Sequence, residues 1–207
     1  MKSILVPIFL LMGSQAHVVA QSRWSIAPTY WFQHNPYTYQ VTNLFGTRPA
    51  QLQATGFNTI SSVGLVVRYH LTPHWDVALG GLYSRVTNHI NDPQNPYGEA
   101  SSYTSKAVQL PLLLNYRLTT HRLSPYFSAG AFFTKSITFD QARLTTDGVL
   151  GMGLAYQFGS SLSLLVQPTA SYSFSPPTNN TFYQFSGYQS YNFGLQAQLI
   201  WRLWGRK

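Results

Sequence analysis

The chain has no cysteine, which excludes a disulfide framework, a thiolate metal site and an anchor built on a lipidated cysteine. Charge is sparse. Only 9% of its 207 residues are Asp, Glu, Lys or Arg, against about 25% in an ordinary soluble domain. Acids are the scarcest class, five against thirteen basic residues. A soluble lipocalin-like barrel carries a charged exterior around an apolar interior, and five acids cannot furnish one. Beyond the N-terminal run Ile4–Met12 there is no long apolar stretch, so the sequence offers no run of the roughly 20 residues a membrane-spanning helix needs. The formal net charge of +8 invites a nucleic-acid partner. The basic residues stand singly rather than in a patch, which argues against one. Anionic lipid head groups are the better partner for the excess.

Aromatic residues stand in place of charge, at 15%, and they sit within an alternation of period two. Across 147–174, Leu150, Met152, Leu154, Tyr156 and Phe158 alternate with Gly151, Gly153, Ala155 and Gln157. After a tight turn at Gly159–Ser161, Leu162, Leu164, Val166, Pro168, Ala170, Tyr172 and Phe174 alternate with a mostly polar set. A strand turns successive side chains to opposite faces, so one face is apolar and the other small or polar. Both runs exceed the usual 5–6 residues and match the roughly 9–11 of a membrane-spanning strand.

The same unit recurs along the chain. Residues 1–20 read as a secretory signal peptide: Lys2, the apolar run, then Val18-Val19-Ala20 as cleavage site. Residues 21–207 then form one barrel domain with eight strands, near 23–34, 58–71, 75–88, 105–118, 125–138, 147–158, 162–174 and 188–204. The facing of the fifth is ambiguous, because both parities are mixed. Segments 35–57, 89–104, 139–146 and 175–187 read as long loops, and 72–74, 119–124 and 159–161 as short turns. Outer-membrane barrels show this asymmetry, with short periplasmic turns and longer outer loops. Tyr69, Trp75, Tyr116, Tyr126, Phe158, Trp201 and Trp204 gather near the short turns, and Tyr30, Tyr83, Tyr172, Phe174 and Tyr191 near the long loops, as two aromatic belts would. The expected fold class is therefore all-β: an eight-stranded antiparallel transmembrane β-barrel, placed in the cell outer membrane.

At the fourth and fifth strands the pattern is more specific. Val108-Gln109-Leu110-Pro111-Leu112-Leu113-Leu114-Asn115-Tyr116-Arg117, followed by Pro125-Tyr126-Phe127-Ser128-Ala129-Gly130-Ala131, resembles the PorT-like outer-membrane β-barrel family of Bacteroidetes-type bacteria. These are small barrels of the OmpA/OmpX type. The resemblance implies a small barrel with a short signal and no assigned chemistry. Many barrel substrates of the assembly machinery end on an aromatic residue, whereas this chain ends Trp204-Gly205-Arg206-Lys207. The insertion signal is expected slightly inside the end, at 199–204.

Arg68, Asp76, Arg117 and Arg202 fall on inward positions near the short turns. An eight-stranded interior is barely wide enough for side chains, so these charges read as a polar plug with Asp76 close to at least one Arg. An anion-selecting constriction is the alternative. His70 and His74 flank Pro73 without further ligands nearby, so no metal site is expected. His89 and Asp92 form a close His/acid pair without a nucleophile motif; no catalysis and no cofactor is expected. Tyr37, Tyr39, Tyr97, Tyr103 and Tyr183, placed in the long loops, suit an extracellular protein or glycan partner. The expected role is structural, adhesive or binding, through the outer loops, with outer-membrane lipids as constant partners. A small pore or a lipid-modifying barrel enzyme remain as alternatives.

Overall fold

A computed structural model describes residues 23–43, 50–91, 101–138, 143–174 and 183–203. The proposed signal peptide, Tyr97, Asp92 and Trp204 lie outside these residues. Eight strands run in chain order: β1 (Trp24–Asn43), β2 (Ala50–His70), β3 (Trp75–Asn91), β4 (Ser101–Arg117), β5 (Leu123–Ser136), β6 (Thr145–Gln157), β7 (Leu162–Ser173) and β8 (Tyr183–Arg202). Each pairs antiparallel with its chain neighbour, and β1 pairs with β8, so the sheet closes into a barrel without an edge.

The register fixes the barrel's shape. Followed once around, Trp24 pairs with Tyr69, then Val77, Leu114, Ala129, Leu150, Ala170 and Phe193. Phe193 pairs with His34, ten residues beyond the starting Trp24. That stagger forces the strands to tilt. Ten residues of strand extend about 33 Å. At the tilt of about 40° usual for barrels they stand about 25 Å tall, which is the height of the apolar band of an outer-membrane barrel.

The outward face carries that band. Val63, Leu65, Leu79, Leu110, Leu150, Met152 and Leu195 are all exposed, Leu150 to 65%. Trp24, Tyr69, Trp75 and Tyr116 form ring contacts at the short-turn end, with centroids 4.8 Å apart for Trp24–Tyr69 and 4.7 Å for Trp75–Tyr116. Tyr172, Phe174 and Tyr191 do so at the other end, 5.3 and 5.5 Å from ring to ring. One belt member is corrected. Tyr126 is only 2% exposed and faces the interior, because β5 turns Ser124, Tyr126, Ser128 and Phe132 inward. The fifth strand thus has a definite facing. Its sequence hides it, since Tyr126 and Phe132 are inward aromatics among small residues while Ala129 and Ala131 are outward.

The strands also outrun the membrane. β1 and β2 pair continuously from Trp24↔Tyr69 to Asn43↔Ala50, and β3 and β4 pair up to Ile90↔Ser101. Most of 35–57 is therefore hairpin rather than loop, and 89–104 and 175–187 are shortened by strand at their ends. Alternation fades there because neither face meets lipid, and register is inherited from the paired strands below.

Prolines mark local breaks in the ladder. Proline has no N–H to give. Pairing of β1 with β8 is interrupted beside Pro28 and Pro36. The β3–β4 pairing skips Pro111, and the β6–β7 pairing skips Pro168. Register resumes unchanged past Pro111 and Pro168, so these gaps cost bonds without shifting side chains to the wrong face.

Candidate functional site

Inward residues fill the barrel in stacked layers. The lowest holds the charges. Asp76 Oδ1 accepts a hydrogen bond from Asn115 Nδ2 at 2.8 Å, and Oδ2 accepts one from the Tyr126 hydroxyl at 2.8 Å. Arg68 Nη2 donates to the same hydroxyl, and its guanidinium lies 5.2 Å from the Tyr126 ring centroid. Arg68 Nε stands 3.2 Å from Asp76 Oδ1, an ion pair without hydrogen-bond alignment. Both side chains are buried, 1% and 7% exposed. A buried ion pair persists only where further hydrogen bonds complete it, and here Tyr126 and Asn115 do so.

Asp76 thus does meet an arginine. The other two expected members of the network stand apart from it. Arg117 Nη2 donates to the His121 carbonyl at 2.7 Å, in the β4–β5 turn. Arg202 is half-buried at the end of β8, opposite Ser25. Both belong to the short-turn mouth, because the register carries the last inward residue of β4 and β8 below the level of Asp76. His70 and His74 part company: His70 Nε2 pairs with Ser25 Oγ at 2.9 Å, and His74 Nδ1 lies 2.8 Å from the Arg117 carbonyl.

Above the ion pair lies an amide layer. Ser128 Oγ donates to Gln167 Oε1 at 3.0 Å, and Gln167 Nε2 donates to Gln196 Oε1. Gln198 is buried with neither end of its amide hydrogen-bonded to protein. The next layer is an aromatic waist. Trp31 and Phe132 meet edge to face, their centroids 4.4 Å apart. Trp31 is 1% exposed, and its indole N–H donates to Thr169 Oγ1 at 2.9 Å. Leu82, Leu113 and Leu165 belong to the same buried apolar cluster, Leu165 at the level of Gln198 below the waist. Two inward glycines near this level lie hard against the backbone of the neighbouring strand. A Cβ on Gly130 would fall 2.0 Å from the Leu112 carbonyl oxygen, and one on Gly64 2.1 Å from that of Gly81. Above the waist, Ser62 hydrogen-bonds Ser84 at 2.8 Å and Gln109 at 2.9 Å, and Ser190 donates to Asn35 at 2.8 Å.

The lumen therefore departs from the expected small-or-polar lining. Trp31, Phe132, Leu82, Leu113, Leu165 and Tyr126 are the large buried side chains that depart from it. Position parity carries the signal for Trp31, which shares its face with Ser25, Ala27, Thr29 and Gln33.

The binding candidates lie on strand extensions. Tyr37 is on β1, its hydroxyl 3.5 Å from the His89 carbonyl. Tyr103 is on β4 and 46% exposed. Tyr39 and Tyr183 lie on β1 and β8, their side chains outside the described part. The loop assignment of these four is corrected to strand, since inter-strand pairing continues past the membrane. His89 stacks on Phe57 at 4.5 Å between centroids, and Phe57 lies 5.2 Å from His34.

The sequence matches the family model described as outer membrane protein beta-barrel domain, over residues 20–205. Among solved structures, OprG from Pseudomonas aeruginosa superposes with a TM-score of 0.57 at 12% identity, over 88% of this chain and 97% of that one. AlkL in DMPC lipid bilayers superposes with a TM-score of 0.52 at 15% identity, over 91% and 95%. At such identities the likeness is one of fold. No curated protein matches the sequence.

Proposed function

The chain belongs to the outer membrane protein beta-barrel domain family, and from that premise we propose that it is a plugged, non-catalytic platform that works through its outer end. The observation carrying this reading is the filled lumen. The Trp31–Phe132 pair, the Gln167–Gln196 amide layer and the Arg68–Asp76 knot occupy three successive levels. An eight-stranded interior has little room beyond its side chains. What such a barrel offers to its surroundings is its rim. Strand extensions carry Tyr37, Phe57, His89 and Tyr103 above the lipid-facing band, and aromatic rings among amides suit a glycan or protein partner. The Pro111 and Pro125 strand pair supports the PorT-like branch.

A second reading, a narrow hydrated pathway, is favoured by Gln198, whose buried amide has no protein partner. Conductance of the refolded mature protein in a planar bilayer separates the two. No current from protein with heat-modifiable migration is the expected result. Steady current that changes on Arg117→Ala would replace the platform with a pore. The rim is tested by retention on a glycan array in nanodiscs. Retention lost on Phe57→Ser with Tyr103→Ser is expected; a wild-type protein retained by no glycan and by no extracellular matrix protein overturns the binding role.

A further inference from the structure

The outer edge of the lipid-facing band differs between the two sides of the barrel. On β7 and β8 it is aromatic, with Tyr172, Phe174 and Tyr191 in ring contact. On β3, β4 and β5 the same level, given the stagger, holds Arg85, Lys106 and Lys135, all exposed. Arg85 and Lys106 are directly opposed in the register. Lys135 pairs with Val108, which makes it the diagonal neighbour of Lys106. Opposed side chains have Cβ atoms about 4.5–5.5 Å apart and diagonal ones about 7–8 Å, and like charges directly opposite destabilise a sheet.

Nothing among the described residues relieves this repulsion. The two described carboxylates, Asp76 and Asp147, stand at inward positions, Asp76 in the Arg68 knot and Asp147 opposite Phe132. No hydrogen bond or ion pair within the described residues takes up the charged end of Arg85, Lys106 or Lys135. The backbone beneath them is held firmly. Lys106 N–H donates to Thr138 Oγ1 at 2.7 Å, and its carbonyl accepts the Ile137 N–H at 2.9 Å and the Ser136 hydroxyl at 3.3 Å. Paired strands thus set the three residues close together, level with the aromatic edge on β7 and β8. Just below them on the outward face stand Tyr83, Val108 and Leu110, all exposed.

We propose that Arg85, Lys106 and Lys135 form a binding site for the phosphates of an outer-leaflet lipid whose head group carries two of them. Arginine engages a phosphate through its planar fork and lysine as a point charge, so three cations suit two phosphates and turn a repulsive cluster into a neutralised one. The acyl chains lie along Tyr83, Val108 and Leu110. The lipid is the source of the phosphate, because the site opens sideways into the bilayer and pairs cations with an apolar strip. The inference rests on the long-connection end facing outward.

The test titrates the refolded mature chain, in phosphatidylcholine nanodiscs, with diphosphoryl lipid A and with inorganic pyrophosphate. Lipid A is expected to bind. Arg85→Gln/Lys106→Gln/Lys135→Gln should bind about a hundredfold more weakly, at about fivefold per cation near the membrane surface. Arg23→Gln/Arg122→Gln, which removes two cations from the opposite end, should bind as wild type, and pyrophosphate should not displace the lipid. Unchanged lipid A affinity in the triple variant overturns the site. Equal weakening in both variants overturns it in favour of net charge, and displacement by pyrophosphate in favour of free phosphate. Should the triple variant not fold, Lys106→Gln alone is read: about a fivefold affinity loss is expected, with a melting temperature raised in phosphatidylcholine and not raised once lipid A is bound. No loss overturns the site. Glycan retention depends on residues above the membrane, so the triple variant leaves it intact and the two readings fail separately.

Discussion

Asp76 holds the most exacting environment in the barrel, with Arg68, Tyr126 and Asn115 all directed at one carboxylate. Removing one partner of a buried ion pair strands the other charge, at about 3–5 kcal/mol. Arg68→Met is expected to lose about that much in urea unfolding from vesicles, and Arg68→Met/Asp76→Asn to recover most of it. A double variant as unstable as the single would show that the pair's charge is not what matters. Two adjacent glycines give a sharper contrast. A Cβ on Gly80 would meet the Leu65 carbonyl oxygen at 2.5 Å and the Val66 Cα at 2.9 Å, whereas one on Gly81 meets nothing within 4 Å. Backbone cannot step aside without breaking the ladder. Gly81→Ala should therefore stay within about 0.5 kcal/mol of wild type, while Gly80→Ala costs several times more or prevents folding, read from the heat-modifiable band. Parity distinguishes these two glycines in the sequence; the backbone that crowds one of them does not show there.

At the scale of a strand, depth decides what a substitution costs. Leu79 lies near mid-band on β3 and is 57% exposed, while Phe174 lies at the outer boundary beyond β7. Leu79→Arg is expected to destabilise the refolded barrel by about 2–4 kcal/mol and Phe174→Arg by about 0–1, measured by denaturant unfolding in lipid. Similar values for the two would mean that the band is misplaced. Strands β3, β4, β6 and β7 were legible because their outward positions meet one solvent, lipid, along the whole span. β5 was not, since its inward face carries Tyr126 and Phe132 to satisfy Asp76 and to pack on Trp31. The extensions of β1 and β2 were not, since two polar faces leave no alternation to read.

For the whole barrel, closure turns eight half-apolar strands into a membrane-spanning body whose interior is a second core. In that core Trp31 meets Phe132, ring centroids 4.4 Å apart. Trp31→Ala/Phe132→Ala removes both rings and should open a solute path. Swelling of proteoliposomes in small sugars is expected to rise above the wild-type rate, at the cost of about 3–5 kcal/mol per ring in stability. An unchanged rate with the barrel folded would place the block elsewhere, at the amide layer or the ion pair.

Strand number, facing of most strands, the apolar band and the two aromatic ends follow from the order of residues, because period-two alternation and turn chemistry are local properties. That Asp76 meets an arginine was also legible, since an acid among inward bases near the short turns of a narrow barrel has few places to go. Which arginine it meets was not, nor that Tyr126 leaves the belt to bridge them, nor that Arg85, Lys106 and Lys135 converge on one side. These depend on the registers of β2, β3, β4 and β5 against one another and on which face β5 turns inward, and together these set which residues far apart in sequence come level. Register is a property of a strand pair, and no single strand carries it.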